Sequence, residues 1–531
     1  MSLKPSHSRE GAFRRDSALS HSRRLKIGSS SKHAPSESTA FAVRVTFRHE
    51  SNSHKEDGHT NRSGPAWVAL KAVVLAGGKG TRLRPLTYTK PKPLLPLAGE
   101  PAIVRLVQKL AHDGIDDVIV TTNYFAKLLR ATLGDGSDYG VRIRHVEEKT
   151  PLGTAGSVKN SESLIDETFA VIQGDNQFEF RIDEIVGVHR KLGAMATMAL
   201  VRVENPSEYG MVELSDGRVT RFLEKPSPQE CFSNLINAGI YVIEPDILRL
   251  VPEGKPFDFS KDLFPHMLKS GMVLAGSHVG GFWVDMGDPR SYLKASFWAL
   301  DNIEKKGRIG SDNARRTLEK PVPESATLRG PIHLGKNVRI HKDALVGPYA
   351  CIGDGSEISA GAKIVFSVVY ENTRIGENAV LDTCIVAEKC RIGDRVQIER
   401  NTLVGAGTEL GEDSRLAAES KVGPFAVVEP RSVVQGTLMP FADDIERICQ
   451  LLEESHSGLG LTIEEAKVCG ALRELGEADV SSVARFAKVP YSTANSILVS
   501  LQERGIAISF GNAPKLYALT QENVGDARKE T

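Results

Sequence analysis

The sequence predicts a three-part chain: an α/β domain, a left-handed parallel β-helix and a C-terminal winged helix-turn-helix. From residue 70 to about 300, short β-rich runs such as "AVVLAG", "DVIVTTN" and "FAVIQGDN" alternate with helical patterns such as "AIVRLVQKLAHDG". That alternation is the mark of a mostly parallel sheet with helices on both faces. From Leu334 to Val434 an apolar residue returns every six positions, through Ile340, Val346, Ile352, Ile358 and Ile364 and onward, except at two eleven-residue steps, Ile364 to Ile375 and Leu381 to Ile392, which read as shortened corners. With small residues expected at its corners, this is the hexapeptide rhythm of stacked β-helical coils. After about Phe441, "TIEEAKVCGALRELG", "SSVARFAKV" and "YSTANSILVSLQERG" read as helices, and "IAISFGNAPKLYALT" as a hairpin turning at Gly511 and Asn512. Three short helices and a hairpin predict the winged helix. The boundaries fall at 1–66 for a tail, 67–300 for the α/β domain, 301–327 for a linker, 328–440 for the β-helix and 441–531 for the winged helix.

Composition narrows the classes. A chain of 531 residues needs several cores, and its 67 basic and 67 acidic residues give no global field for nucleic acid or a membrane. Six cysteines without a CxxC pair point to reduced thiols used in packing. No apolar run reaches the 18 or so residues of a spanning helix, and no secretory signal core precedes the domain. The expectation is a cytoplasmic protein without membrane contact. Residues 1–66 carry 12 Lys or Arg against 6 Asp or Glu and few patterned apolar residues, so they are expected to be a disordered basic tail. Folded character begins abruptly at Val68, as it would if translation in the native protein started downstream.

The first strand of the α/β domain leads into "VVLAGGKGTRLRPLTYTKPKPLLPL", residues 73–97. A Walker loop would need GK[ST], but Lys79 is followed by Gly80; a dinucleotide fingerprint would need a third glycine where Leu83 stands. What remains is a turn at Gly77, Gly78 and Gly80, whose bare backbone lets N–H groups approach phosphate oxygens. Arg82 adds a fork of donors. Prolines at 91, 93 and 96 stiffen the stretch that presents Lys92.

Five further blocks follow in order: "EEKTPLGTAGS" at 147–157, "QGDN" at 173–176, "FLEKP" at 222–226, "NAGIYV" at 237–242 and "FWVDMGDP" at 282–289. Together with the glycine turn, over roughly residues 71–300, they resemble the sugar-phosphate nucleotidyltransferases and look most like those that act on mannose 1-phosphate. The resemblance implies a Rossmann-like nucleotidyltransferase domain that joins a nucleoside triphosphate to a sugar 1-phosphate and releases pyrophosphate. Arg82 and Lys92 would hold the triphosphate, with Asp175 completing the catalytic set. Asp175 and Asp285 would hold Mg²⁺. Leu75, Gly77, Gly78 and Gly80 would border the nucleotide. Glu224 would bind sugar hydroxyls and Lys225 the sugar phosphate, while Gly210 and Asn237 would line the sugar pocket.

The chemistry of those residue types agrees. A sugar 1-phosphate oxygen is already anionic at neutral pH, so attack on the α-phosphate needs charge neutralised and reactants aligned, not a general base. Carboxylate oxygens suit Mg²⁺, and both aspartates sit at the ends of apolar runs. Near Gly153, Glu148 stands where thymidylyl-transferring relatives carry Gln. A carboxylate accepts from the two adjacent donors of guanine, whereas an amide suits thymine. This points to GTP, with solvated Glu148 and backbone reading of the base as the plain alternative. Glucose or N-acetylglucosamine 1-phosphate with UTP or dTTP is the runner-up substrate pair.

The β-helix has two readings: an acyltransferase, for which His333 and His341 are the available histidines, or a scaffold for homo-oligomerisation and regulation. The scaffold is preferred because no acetyltransferase block is present. The last domain, over residues 459–520, resembles the winged helix of sugar-responsive archaeal regulators, and Tyr491, Ser492, Thr493, Asn495 and Ser496 would begin its recognition helix. Residues 441–531 hold 9 basic and 14 acidic residues, a balance of −5 that argues against a strong grip on DNA. DNA binding and protein contact both stay open for this domain. The rival to an enzyme is a regulator that senses sugar nucleotides through a transferase fold.

Overall fold

The computed structural model describes residues 70–305 and 321–439, and in the C-terminal part 463–475, 478–487, 489–504, 507–510 and 516–519. The expected tail, most of the linker, Cys449 and the turn at Gly511 and Asn512 lie outside the described residues.

The α/β domain runs β1 (Lys71–Leu75), β2 (Pro96–Leu97), β3 (Glu100–Pro101), α1 (Ala102–His112), β4 (Asp117–Thr122), α2 (Ala126–Leu133), β5 (Arg142–Glu147) and α3 (Gly153–Lys159). It continues through β6 (Phe169–Gln173), β7 (Asn176–Phe178), α4 (Ile182–Leu192), β8 (Ala196–Arg202), β9 (Gly210–Ser215), β10 (Arg218–Glu224) and β11 (Leu235–Ile243). It ends with α5 (Phe264–Lys269), β12 (Leu274–His278), β13 (Trp283–Asp285) and α6 (Pro289–Lys305). Nine strands form one sheet in the order β5-β4-β1-β6-β11-β8-β12-β10-β9. Period-two alternation decides which face each side chain enters. Val74, Val118 and Ile172 pack with Ile103 and Val107 of α1, whereas Val73, Ile119 and Val171 pack on the other face with Val158 of α3 and Phe264 of α5. Helix α1 forms because Ile103, Leu106, Val107 and Leu110 recur at i, i+3, i+4 and i+7 and make one buried stripe.

The sheet is less parallel than the sequence suggests. Strands β5, β4, β1 and β6 are parallel, but β11 runs antiparallel to both β6 and β8, and β10 runs antiparallel to β12 and β9. The reason at β9–β10 is local. Asp216 and Gly217 both adopt positive φ, 51° and 77°, which is the backbone of a tight two-residue hairpin.

From Thr327 to Leu438, short strands stack into three parallel sheets of seven, seven and six strands. The six-residue positions point inward: Ile340, Val346, Ile352, Ile358 and Ile364 begin a continuous apolar core that ends at Val434. Each of the two eleven-residue steps divides into a short step and a normal one, with buried Val369 and Val386 at the intervening positions. Gly393 is required by stacking, since a Cβ there would lie 2.7 Å from the Leu410 carbonyl oxygen of the next coil. Hydroxyls inside the corners pair with neighbouring coils: Ser356 donates to the Tyr370 carbonyl at 3.0 Å and Thr373 to the Ala387 carbonyl at 3.0 Å. The corners are not all small residues. Left-handed backbone is carried by Asn372 and Asn378, but also by Lys389, Arg395 and Phe425.

A fourth apolar cluster joins the two parts. Leu83, Leu86, Leu95 and Leu97 of the first domain and Tyr292 of α6 pack with Cys351, Val368, Tyr370, Ile385 and Leu403 of the β-helix. In the C-terminal part, helices Ile463–Leu475, Val480–Ala487 and Tyr491–Glu503 enclose Val468, Leu472, Val483, Leu498 and Leu501 beside a three-stranded sheet. The third strand, Ala478–Asp479, sits between the first two of these helices and is an addition to the expected hairpin.

The ring of His333 packs directly on Gly99, which holds φ 82° in the β2–β3 turn. Burial pushes the imidazole pKa down to about 4, so it is neutral in the fold. Unfolding restores an ordinary value near 6.5, and stability is therefore lost as pH falls from about 6.5 toward 4. Chemical denaturation at pH 7.5 and 5.0 should show His333→Gln losing about 2 kcal/mol less than the unsubstituted protein. Equal losses would contradict the assignment.

Candidate active site

Strand β1 delivers the chain to a turn at residues 76–80, where Gly78 and Lys79 are exposed. Gly80 holds φ 61°, and its carbonyl accepts from Thr87 Oγ1 at 2.9 Å. A Cβ at Gly80 would also meet Lys92 Cβ at 3.1 Å, so glycine is needed for both conformation and space. Arg82 lies in a short 3₁₀ turn anchored by buried Leu83 and reaches across to the Asp285–Gly287 loop. Lys92 opens another 3₁₀ turn between Pro91 and the buried Pro93 and Leu94.

The sheet brings two distant carboxylates to this lysine. Asp175 follows β6 in the link to β7, and β7 pairs antiparallel with β13, setting Asp285 opposite Asn176. Lys92 Nζ makes a close ion pair with Asp175 and donates to Asp285 Oδ1 at 3.1 Å. Burial and the charge of Asp175 push the Asp285 pKa up to about 6, against the pull of Lys92 and Arg82. Burial also opposes ionisation of Asp175, yet Lys92 outweighs it and holds that carboxyl below the usual carboxylate range. Burial works against the Lys92 ammonium as well, but the two aspartates raise its pKa above the ordinary lysine value. Among the described residues no group of three or more His, Cys, Asp or Glu is arranged to hold a metal ion; the aspartates are a pair.

Beside them opens a cavity of about 200 Å³ whose lining includes Arg82, Gly210, Glu224, Lys225, Asn237 and Asp285. Glu224 ends β10, and burial, countered by Lys225 and Lys261, raises its pKa. Gly210 leaves room for it, since a Cβ there would meet Glu224 Oε2 at 2.7 Å. Lys225 holds φ 48°, a strained conformation for a residue with a side chain, and its N–H donates to the Tyr209 carbonyl at 2.9 Å. Asn237 is buried on β11; its Nδ2 donates to Tyr241 Oη and its Oδ1 accepts from Gly239 N–H, both at 2.9 Å. The pairing of β11 with β8 is irregular between Asn237 and Tyr241, which turns this segment into the cavity.

The remaining expected residues lie apart from this cavity. Leu75 ends β1, and Gly77 sits against Asn123 and Glu148, with 3.5 Å from its Cβ position to Glu148 Oε1. Glu148 is not solvated; it is 7% exposed, its Oε2 accepts from Leu152 N–H at 3.2 Å, and its Oε1 accepts from Ser157 Oγ. Gly153, with φ 71°, packs on the Phe257 backbone.

Sequence reasoning passed over eight lining residues, among them Tyr209, Trp283, Gln173 and Ser260. Tyr209 and Trp283 form an edge-to-face pair with centroids 5.7 Å apart, Trp283 Nε1 donates to the Ala238 carbonyl at 3.0 Å, and Gln173 and Ser260 lie in the same wall. Gln173 and Trp283 stand inside "QGDN" and "FWVDMGDP", so the blocks marked them even though their roles were unread. Ser260 carried no signal, because a lone serine in a loop has no pattern.

Comparison with known proteins gives three family matches: "Nucleotidyl transferase" over residues 71–302, "GMPPB C-terminal domain" over 328–437 and "Sugar-specific transcriptional regulator TrmB" over 457–522. A UTP–glucose-1-phosphate uridylyltransferase of Synechocystis is 32% identical over 328 residues, covering 58% of this chain and 84% of the relative. A mannose-1-phosphate guanylyltransferase of Mycobacterium tuberculosis is 34% identical over 315 residues, 58% of this chain and 81% of the relative. The mannose-1-phosphate guanylyltransferase catalytic subunit beta of Danio rerio is 37% identical over 243 residues, 45% of this chain and 66% of the relative.

The raised pKa of Asp285 has a consequence for stability. The fold binds this proton more tightly than the unfolded chain, so stability falls as pH rises from 3.8 through about 6. Asp285→Asn should raise the thermal midpoint at pH 7.5, by at most about 3 kcal/mol in stability, with the gain shrinking at pH 4.5. A loss of stability at pH 7.5 would contradict the assignment.

Proposed function

The chain belongs to the sugar-phosphate nucleotidyltransferase family, and on that premise we propose that it transfers a guanylyl group from GTP to mannose 1-phosphate. The products are GDP-mannose and pyrophosphate. The observation that carries this reading is the meeting of Lys92 and Asp175 with Asp285, which lines a polar cavity together with Arg82 and Lys225.

A phosphate oxygen of the sugar 1-phosphate attacks the α-phosphorus of the triphosphate in line. The bond from that phosphorus to the β-bridging oxygen breaks, and pyrophosphate leaves with the electron pair. No proton has to be removed from the attacking oxygen, so alignment and charge neutralisation do the catalysis. Lys225 holds the sugar phosphate, and Glu224 and Asn237 take the hydroxyls. Arg82 and Lys92 hold the triphosphate and neutralise the leaving group.

Asp175 and Asp285 fit Mg²⁺. Their donors are hard oxygens, and the two carboxylates converge on one ammonium from separate segments, so both face the same point. Magnesium held there would screen the two anionic reactants from each other and stabilise charge on the bridging oxygen.

Guanine is favoured over the other bases because Glu148 is a buried carboxylate next to Gly77. With one bond accepted by each oxygen, each keeps a lone pair for the adjacent N1–H and N2 donors of guanine. The Synechocystis relative keeps UTP with glucose 1-phosphate as the competing pair.

A second reading concerns residues 457–522 alone, which match a transcriptional regulator family. Tyr491, Ser492, Asn495 and Ser496 are exposed on the third helix, where they would face base edges, so this part would bind DNA.

Two measurements test these readings. Pyrophosphate release over four nucleoside triphosphates and several sugar 1-phosphates should be fastest with GTP and mannose 1-phosphate. Asp175→Asn should lower it by about 100-fold or more, and Glu148→Gln should erode the preference for GTP. Faster turnover with UTP or dTTP would overturn the substrate assignment. For the DNA reading, a pool of random duplexes should be retarded at about 50 mM salt, and affinity should fall less than about tenfold by 200 mM, because few basic residues are available. No retardation at 50 mM would remove it.

A further inference from the structure

The segment that carries Lys92 is held at both ends by the β-helix. Upstream, Lys90 Nζ donates to Glu371 Oε1 at 3.0 Å, lies 3.8 Å from Glu388 Oε2, and sits 5.3 Å from the centre of the Tyr370 ring. Thr89 Oγ1 donates to Glu388 Oε1 at 3.2 Å. Downstream, Tyr370 Oη donates to Tyr292 Oη at 3.1 Å, and Tyr292 Oη donates to the Pro96 carbonyl. Between these anchors, Pro91 and Pro93 flank Lys92 and remove backbone freedom on either side.

The anchors are enclosed. The side chains of Lys90 and Glu388 are 18% and 13% exposed, and Tyr370 and Tyr292 are fully buried. A lysine enclosed by two carboxylates and an aromatic face is restrained far more than a solvated one. Lys90 is also absent from the cavity lining and makes no contact with Asp175 or Asp285, so its effect on the reacting groups must pass through Lys92.

We infer that Lys90, clamped by Glu371 and Glu388, is a positioning residue through which the β-helix sets the place of Lys92 and hence the rate of nucleotidyl transfer. The inference rests on the reading of Lys92 given above. It gives the β-helix a part in positioning the reacting groups. A displacement of about 1 Å at a group that neutralises a leaving phosphate is enough to cost on the order of 100-fold in rate.

The test uses the full-length protein in a double-mutant cycle. Lys90→Met should lower kcat by about 10- to 100-fold with KM for the sugar phosphate unchanged, and Lys90→Arg should restore most of it. In a Lys92→Met background the same Lys90→Met change should cost less than about twofold, because its route to the chemistry is already gone. Full kcat in Lys90→Met, or an undiminished loss in the Lys92→Met background, overturns the inference. If the unsubstituted protein turns over no nucleoside triphosphate, the reading of the site fails instead. Amide exchange then judges the clamp by itself: Glu371→Gln with Glu388→Gln should speed exchange across residues 86–97 by about tenfold or more and leave residues 169–178 unchanged. Unchanged exchange across 86–97 refutes the clamp.

Discussion

One ammonium group between two carboxylates is the interaction on which the site depends. Lys92, Asp175 and Asp285 come from separate places in the chain, and each is held near the others by a different element. The proline-flanked 3₁₀ turn presents the lysine. The β6–β7 link presents the first aspartate, and the antiparallel pairing of β7 with β13 brings the second. Without Lys92 the two acids would be like charges buried side by side, which is the arrangement a protein avoids. With it, the pair is held together, and the carboxylate oxygens are what a substrate-bound cation or a triphosphate-associated metal would meet.

The fold arranges this cluster beside a polar cavity that carries charges of both signs. Glu224 and Asn237 bring hydrogen-bonding groups, Lys225 brings a positive charge, and Tyr209 with Trp283 walls the space with flat rings. In the proposed reaction the anionic and polyhydroxylated halves of the sugar phosphate would meet distinct surfaces. The β-helix enters this arrangement from behind. The apolar cluster shared by Leu86, Leu95, Tyr292, Tyr370 and Leu403 makes the catalytic segment and the coils one packed unit, so the scaffold cannot shift without moving the lysine.

Much of this was legible in the sequence, for identifiable reasons. The coils were readable because one inward residue in six must be apolar and a single break in phase is visible at once, as at Ile364 and Leu381. The glycine turn was readable because Gly80 sits where backbone conformation admits little else. Asp175 and Asp285 were marked by the blocks "QGDN" and "FWVDMGDP" that carry the resemblance, since an aspartate at the end of an apolar run would by itself suit a turn. Other features were hidden because they depend on tertiary partners. Lys90 looks like any lysine in a proline-rich stretch until Glu371 and Glu388, far along the chain in the β-helix, are seen against it. The burial of Glu148 depends on Ser157 and the Leu152 amide, which its own position does not reveal. The antiparallel half of the sheet was partly announced by Asp216 and Gly217, a hairpin pair that the alternation of strands and helices masked.

The central claim is that Lys92, Asp175 and Asp285 support direct attack of a sugar phosphate on the α-phosphorus, with no nucleotidyl group carried by the protein. Exchange of radiolabelled pyrophosphate into GTP, followed in Mg²⁺ with and without GDP-mannose, tests it most directly. The account predicts label in GTP only when the sugar nucleotide is present, and almost none with Asp175→Asn. Label entering GTP in the absence of any sugar nucleotide would mean that the protein itself holds the nucleotidyl group, and would contradict the account.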